Sequence, residues 1–94
     1  MPYMYILRCS NGQFYTGSTK DLERRLFQHQ AGEGANFTKK HLPVKLVYFE
    51  EYAHVSEAFY REKQIQRWSH GKKKALIDGK HNKIRKLGKK KFKK

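Results

Sequence analysis

Cysteine is nearly absent from the chain, and long apolar runs are absent altogether. The single cysteine, Cys9, cannot form an intramolecular disulfide framework or a cysteine-rich zinc site. The longest apolar run near the start of the chain, residues 3–7, is far shorter than the ~20 residues of a transmembrane helix. No basic segment followed by an apolar stretch marks a secretory leader. We therefore expect a protein of the reducing cytoplasm.

Acidic residues are scarce as well. The 94 residues include 8 Asp and Glu against 22 Lys and Arg, which gives a formal charge of +14. Such a charge repels itself within a compact domain, so it indicates a polyanionic partner. Nucleic acid is the first expectation, and an anionic membrane surface comes only second. The sequence gives no indication of a protein partner or of an oligomeric state.

The positive charge is concentrated near one end of the chain. Residues 1–71 contain 10 basic and 7 acidic residues, whereas residues 72–94 contain 12 basic residues and one acidic residue. Beyond Gly79 the apolar content is too low for the segment to order itself by burying surface. Since this length suits one domain, we predict a domain over 1–78 and a basic tail over 79–94 that is disordered in isolation.

The first elements read as a β-hairpin around a turn at Asn11 and Gly12. A two-residue loop would pair Arg8 with Tyr15 and place Tyr5 and Tyr15 on opposite faces, because side chains alternate along a strand. A three-residue loop with Gly12 left-handed would pair Leu7 with Tyr15 and place both tyrosines on one face. Both loops are common; a glycine at the third loop position favours the longer one.

The remaining pattern predicts a small α+β domain of order β-β-α-β-α-α, with one three-stranded, mainly antiparallel sheet flanked by helices. Ser18 or Thr19 is expected to cap the first helix and Gly32 to end it. Residues 33–43 are predicted to be a polar loop and 44–52 a third strand. Ser56 is expected to cap a second helix that reaches about residue 68. A short third helix is expected over 72–77, with Ser69 or His70 at its start.

Several side chains stand out against this pattern. Tyr5 and Tyr15 are core aromatics on spacing alone, although buried hydroxyls need polar partners. Arg25 and His29 lie four residues apart on one helix face, beside the apolar stripe of Leu22 and Leu26, whereas Arg24 belongs to the solvated face.

Glu62 is the most informative single residue. It falls within the apolar stripe of the second helix, four residues after Ala58 and three before Ile65. A buried carboxylate must be paired or bind a metal. It is therefore either a structural glutamate, salt-bridged to Arg61 or Lys63, or a metal ligand or general base. The five scattered histidines predict no zinc site, and no glycine-rich phosphate loop is present.

Taken together, these residues resemble the GIY-YIG nuclease superfamily, and more narrowly its small single-domain bacterial proteins of the UPF0213 type. Residues 3–5 and 15–17 match its two triplet motifs, with Tyr3 where the family has glycine and Thr16 where it has isoleucine. Arg25 matches the arginine ten residues after the second tyrosine. Glu62 matches the glutamate on the helix after the third strand. The resemblance covers roughly residues 3–77.

The resemblance implies a metal-dependent endonuclease that hydrolyses phosphodiester bonds of DNA with little sequence specificity. In that reading Glu62 binds one Mg²⁺ or Mn²⁺ ion, weakly held, and Tyr5 or Tyr15 is the general base. Arg25 neutralises the phosphate, and His29 orients groups or shuttles a proton. Residues expected to contact nucleic acid are Lys39, Lys40, Arg67, Lys72, Lys73 and Lys74. The alternative is a non-catalytic nucleic-acid-binding module that keeps the fold and acts through the basic tail.

Overall fold

The computed structural model describes residues 1–79, and the predicted tail beyond Gly79 lies outside the described residues. The chain forms three strands and four helices within this range. They are β1 (Tyr3–Arg8), β2 (Phe14–Thr19), α1 (Leu22–Gln30), α2 (Asn36–Lys40), β3 (Lys45–Glu51), α3 (Val55–Gln66) and α4 (His70–Ile77). The α+β class and the three-stranded antiparallel sheet with helices are as the sequence predicts.

The hairpin adopts the three-residue loop. The Cys9 amide donates to the Gln13 carbonyl at 2.8 Å, and Gly12 has a φ of 84°, a left-handed conformation that suits glycine. The register pairs Leu7 with Tyr15 and Tyr5 with Gly17. The prediction of the longer loop is therefore confirmed, and both tyrosines share one face of the sheet.

The strands are ordered β2-β1-β3, so β1 is central and β3 returns antiparallel to its free side. One face of β1 contributes Met4 and Ile6, which pack against Ile65 of α3 and Leu76 of α4. The other face contributes Tyr5 and Leu7, which pack towards α1 and α2. The sheet is thus covered by a different helix pair on each face.

The helix starts differ from those predicted. Asp21, not Ser18 or Thr19, caps α1, because its side chain accepts from the Arg24 amide at 3.1 Å. His54, not Ser56, is the N-cap of α3, and the Glu57 carboxylate accepts from its amide at 3.1 Å. Helix α4 begins at His70, two residues before the predicted Lys72, and its N-cap is Ser69, one of the two residues expected at its start.

One further expectation needs correction. The predicted loop over 33–43 contains a helical turn, α2, whose first residue follows the extended Ala35. Phe27, next to Leu26 in α1, is 70% exposed. No helix within residues 1–79 combines the length and the apolar character needed to cross a bilayer.

Candidate active site

Tyr5 and Tyr15 project from neighbouring strands on the same face, with ring centroids 6.5 Å apart. Tyr5 is 1% exposed, while Tyr15 is half-buried. Gly17, opposite Tyr5 in the register, provides the space for the phenol. A Cβ at this position would lie 2.6 Å from the Tyr5 hydroxyl oxygen, so the second motif needs its glycine here for steric reasons.

His29 is fully buried behind the tyrosines. Its Nε2 lies 2.8 Å from the Tyr5 hydroxyl, and its Nδ1 lies 2.9 Å from the Thr38 hydroxyl. Burial lowers the pKa of His29 to about 4, and the positive charge of Arg25 adds to this shift. The ring is therefore neutral at pH 7, and one of its two nitrogens can accept a hydrogen bond.

Arg24 and Arg25 differ in burial, as the apolar stripe of Leu22 and Leu26 predicts. Arg24 is exposed, whereas Arg25 is half-buried and donates from Nη1 to the Gln28 amide oxygen at 3.1 Å. Burial raises the pKa of Tyr5 to about 12, and the nearby Arg25 guanidinium opposes that rise. Arg25 thus lies where it stabilises negative charge on the phenol oxygen.

Glu62 is held by two donors rather than by an ion pair. The Ser18 hydroxyl donates to its Oε1 at 2.5 Å, and the Gln66 side-chain amide donates to its Oε2 at 2.7 Å. The two predicted salt-bridge partners point elsewhere: Arg61 pairs with Glu50 at 2.9 Å, and the Lys63 ammonium lies 4.9 Å above the Phe59 ring. The Glu62 residue as a whole is 9% exposed.

The candidate groups come from both layers of helices. Tyr5, Tyr15, Arg25 and His29 belong to the face covered by α1, and Glu62 reaches Ser18 of the edge strand β2 from α3. The negative charge of Glu62 raises the pKa of both tyrosines, although burial is the larger cause for each. The structure therefore groups four predicted residues on one face of the sheet, with Glu62 across the edge strand β2 and close enough for its charge to act on both tyrosines. A phenol, a guanidinium, a neutral imidazole and a carboxylate in this arrangement can bind a phosphate and move a proton.

The predicted nucleic-acid-binding residues do not form one cluster. Lys39 and Lys40 are exposed at the end of α2, on the tyrosine side of the sheet. The others lie on or next to the opposite layer: exposed Arg67 follows α3, and three lysines lie on α4. The Lys72 ammonium sits 4.3 Å above the Trp68 ring, Lys74 pairs with Asp78 at 2.6 Å, and burial lowers the pKa of Lys73.

Sequence reasoning missed four residues of the site. Gln66 follows Glu62 by four residues, so helical spacing offered a signal for it. Ser18 was assigned to a helix cap, and Gly34 and Thr38 to a loop. A Cβ at Gly34 would lie 2.2 Å from the Nδ1 of His29, and no local pattern reveals that contact. A separate groove of about 610 Å³, lined by Glu50, Tyr52, Tyr60 and Arg61 among others, contains none of the candidate residues.

Comparison with known proteins gives a consistent result. Residues 1–75 match the family model described as the GIY-YIG catalytic domain. A UPF0213 protein of Staphylococcus saprophyticus is 47% identical over 75 residues, which cover 80% of this chain and 92% of that protein. A UPF0213 protein of the archaeon Halobacterium salinarum is 42% identical over 77 residues, which cover 82% of this chain and 100% of that protein.

Two solved structures are also similar. The solution structure of a UPF0213 protein from Bacillus halodurans shares 37% identity with a TM-score of 0.53, covering 83% of this chain and 84% of that one. The solution structure of a protein from E. faecalis shares 33% identity with a TM-score of 0.55, covering 84% of each chain.

Proposed function

The chain belongs to the GIY-YIG family, whose domain characterises a nuclease superfamily, and we propose that it is a metal-dependent endonuclease that hydrolyses phosphodiester bonds of DNA. The observation that carries the proposal is the placement of Tyr5 and Arg25 on one face of the sheet, with buried Glu62 bound to Ser18 across the edge strand β2. These are the group types that phosphodiester hydrolysis requires: a base for water, a cation for the phosphate and a carboxylate for a divalent ion.

Tyr5 is the better candidate for the general base. Its hydroxyl already contacts Nε2 of the neutral His29 at 2.8 Å, so its own proton has an acceptor. The neighbouring Arg25 favours the phenolate form, which offsets part of the effect of burial. Tyr15 is more exposed, and in this proposal its hydroxyl donates to a phosphoryl oxygen.

Arg25 would carry the electrostatic stabilisation. Its guanidinium presents several N–H donors in a plane that matches phosphate geometry. One of them is engaged by Gln28, which fixes the side chain at 3.1 Å. A preorganised cation of this kind stabilises charge that develops on the phosphoryl oxygens without having to reorient during the reaction.

Glu62 fits a weakly held Mg²⁺ or Mn²⁺ ion. Each carboxylate oxygen accepts one hydrogen bond and keeps a further lone pair. Within residues 1–79 no group of three or more His, Cys, Asp and Glu side chains could hold a metal. A single carboxylate suffices for Mg²⁺, which retains several waters and binds substrate phosphates as well. When bound, such an ion stabilises developing negative charge and polarises the leaving oxygen.

Little sequence specificity follows from the kind of contacts available. The exposed cations Lys39, Lys40 and Arg67 suit phosphates, which position a nucleic acid but carry no sequence information. Their separation on two layers supports contacts with a substrate that extends across the β2 edge. The net charge of +14 supports the same class of partner.

The substitution Glu62→Gln tests the proposal. The change keeps the shape of the side chain and removes only the charge that would hold the ion. We expect cleavage of plasmid and short duplex DNA in Mn²⁺ or Mg²⁺ to fall at least about 100-fold, with DNA affinity within about twofold. Glu51→Gln, at an exposed position of β3, is the matched control and should cleave like the wild type.

One observation favours the alternative, a non-catalytic binding module. Both oxygens of Glu62 accept hydrogen bonds from the protein, as those of a structural carboxylate do. The same assay decides between the two. Cleavage at the wild-type rate by the Glu62→Gln variant would assign Glu62 a structural role. Binding without cleavage by the wild type on single-stranded, duplex, branched and RNA substrates would support the binding module.

A further inference from the structure

A continuous row of hydrogen bonds runs from the candidate base to the backbone of the loop after α1. The Tyr5 hydroxyl meets His29 Nε2 at 2.8 Å, His29 Nδ1 meets the Thr38 hydroxyl at 2.9 Å, and that hydroxyl meets the Ala35 carbonyl oxygen at 2.9 Å. Tyr5, His29 and Thr38 are each at most 1% exposed. Bulk water therefore does not compete for the hydrogen bonds of His29 and Thr38.

The far end of the row sets the direction of every proton in it. The Ala35 carbonyl can only accept, and Thr38 has one hydroxyl proton. Two oxygens 2.9 Å apart attract only if that proton lies between them. Thr38 therefore donates to Ala35 and must accept from His29, so Nδ1 carries the ring proton. Nε2 is then left with a lone pair, and the Tyr5 hydroxyl donates to it.

We propose that Thr38 is a positioning residue, which fixes His29 in the Nδ1–H tautomer so that Nε2 can take the proton of Tyr5. The inference rests on the proposed function for its catalytic meaning, since it assumes that Tyr5 is the base. Only the Nδ1–H tautomer can serve, because the other one would present an N–H to Tyr5 and leave its proton without an acceptor.

The proton transfers balance as follows. Water loses a proton to the Tyr5 oxygen while its own oxygen bonds to phosphorus, and the bond from phosphorus to the leaving oxygen breaks. The Tyr5 O–H bond breaks as the Nε2–H bond of His29 forms, which leaves a neutral phenol and a short-lived imidazolium. The imidazolium keeps its Nδ1–H bond to Thr38, so the hydrogen bond that selected the tautomer also stabilises the charged ring. The Nε2 proton then returns to the Tyr5 oxygen as the phenol gives its other proton to solvent, and the leaving oxygen takes a proton from solvent, which restores the start.

The fold explains why Thr38 lies at this place. Gly34 lets the backbone pack directly on the imidazole, since any Cβ there would lie 2.2 Å from Nδ1. The chain then enters α2, and Thr38 occupies the position whose hydroxyl reaches the carbonyl three residues earlier. The groups around His29 are Tyr5 of β1, Tyr15 of β2, Arg25 of α1 and Thr38 of α2.

The test reads the tautomer directly. In protein labelled with ¹⁵N histidine, NMR at pH 7 should show His29 protonated at Nδ1 and unprotonated at Nε2. Thr38→Val is nearly isosteric and removes the acceptor, so a substantial fraction of His29 should change to the Nε2–H tautomer. We expect cleavage by this variant to fall at least about tenfold, within the usual range for acid–base groups, with unchanged DNA affinity. Thr38→Ser should restore both readouts.

Thr16 offers the matched control. It is also a buried threonine, 3% exposed, but its hydroxyl has no hydrogen-bond partner within residues 1–79. Its side chain faces the Met4 and Ile6 side of the sheet, away from His29. Thr16→Val should therefore leave the His29 tautomer and the cleavage rate unchanged.

Two results would overturn the inference. The first is a wild-type His29 protonated at Nε2, which can be measured even if Thr38→Val does not fold. The second is a folded Thr38→Val variant that keeps the Nδ1–H tautomer. The tautomer measurement needs no enzymatic activity, so it is separable from the proposed function. A protein that cleaves no substrate but shows the expected tautomers would refute the nuclease and keep the role of Thr38.

Discussion

At the scale of single residues, the site depends as much on missing side chains as on present ones. Gly17 and Gly34 each lie against a functional ring, Tyr5 and His29 respectively. Neither of these two glycines has a positive φ, so what each position requires is space and not a special backbone conformation. The rings can stack against the backbone only because no Cβ intervenes.

Gly17→Ala follows as a residue-scale prediction. The new Cβ would lie 2.6 Å from the Tyr5 hydroxyl oxygen and 2.7 Å from the adjacent ring carbon, so the ring must move and its contact with His29 must break. We expect at least a tenfold loss of cleavage, and loss of stability by about 1–3 kcal/mol as in other overpacked cores. Activity assays and thermal melting measure the two effects.

Gly71→Ala is the control for that change. Gly71 lies within α4, where an added Cβ meets nothing within 4 Å. Alanine is about 1 kcal/mol more favourable than glycine inside a helix, so this variant should be slightly more stable and equally active. Equal activity of Gly17→Ala and wild type would contradict the packing that places Tyr5 over Gly17.

At the scale of elements, the start of α1 determines how Arg25 and His29 are presented. Asp21 accepts from the Arg24 amide, and the Arg25 amide donates to the Asp21 carbonyl at 3.0 Å. Replacing an N-cap aspartate by alanine destabilises by about 1 kcal/mol. For a domain of this size we expect Asp21→Ala to lower the melting temperature by about 4–8 °C.

Two variants check the cause of that loss. Asp21→Asn keeps a good capping side chain and should retain most of the stability. Asp78→Ala removes the same charge from an exposed ion pair at the end of α4. Exposed ion pairs contribute little to stability, so this variant should melt close to wild type. A loss as large for Asp78→Ala as for Asp21→Ala would point to net charge and not to capping.

At the scale of the whole molecule, the positive charge is concentrated near one end of the chain. The predicted tail, residues 79–94, contains nine Lys and Arg and no acidic residue. If about half of them contact phosphates, its removal should make the slope of log affinity against log salt shallower by roughly 3–4, at about 0.9 per phosphate of duplex DNA. Filter binding or fluorescence anisotropy at several salt concentrations measures the slope.

Thermal melting of the truncated chain supplies the control for the tail. A melting temperature within a couple of degrees of the full chain would mean that residues 79–94 act electrostatically and do not stabilise the domain. A large drop would instead show that Ile84, Leu87 and Phe92 contribute to folding. An unchanged salt slope would show that the tail does not contribute to nucleic-acid binding.

The sequence by itself determined those features that depend on neighbours along the chain. The position of Gly12 selected the hairpin loop, and the loop length then placed Tyr5 and Tyr15 on one face. Helical periodicity separated Arg25 from Arg24 and buried Glu62 beside Ala58 and Ile65. In each case a spacing of two or of 3.6 residues carries the information.

Only the tertiary structure decided which partners those side chains acquire. Ser18 lies 44 residues from Glu62, and Tyr5 lies 24 from His29; no local period reports a contact of that length. Ser18 resembles a helix cap in the sequence, yet its hydroxyl donates a hydrogen bond to the Glu62 carboxylate of α3. Thr38 resembles a loop residue, yet it meets His29 because Gly34 brings the backbone of that segment against the ring. Hydrogen-bond direction depends on three-dimensional proximity, so the proton arrangement of the site follows from the fold and not from the motif.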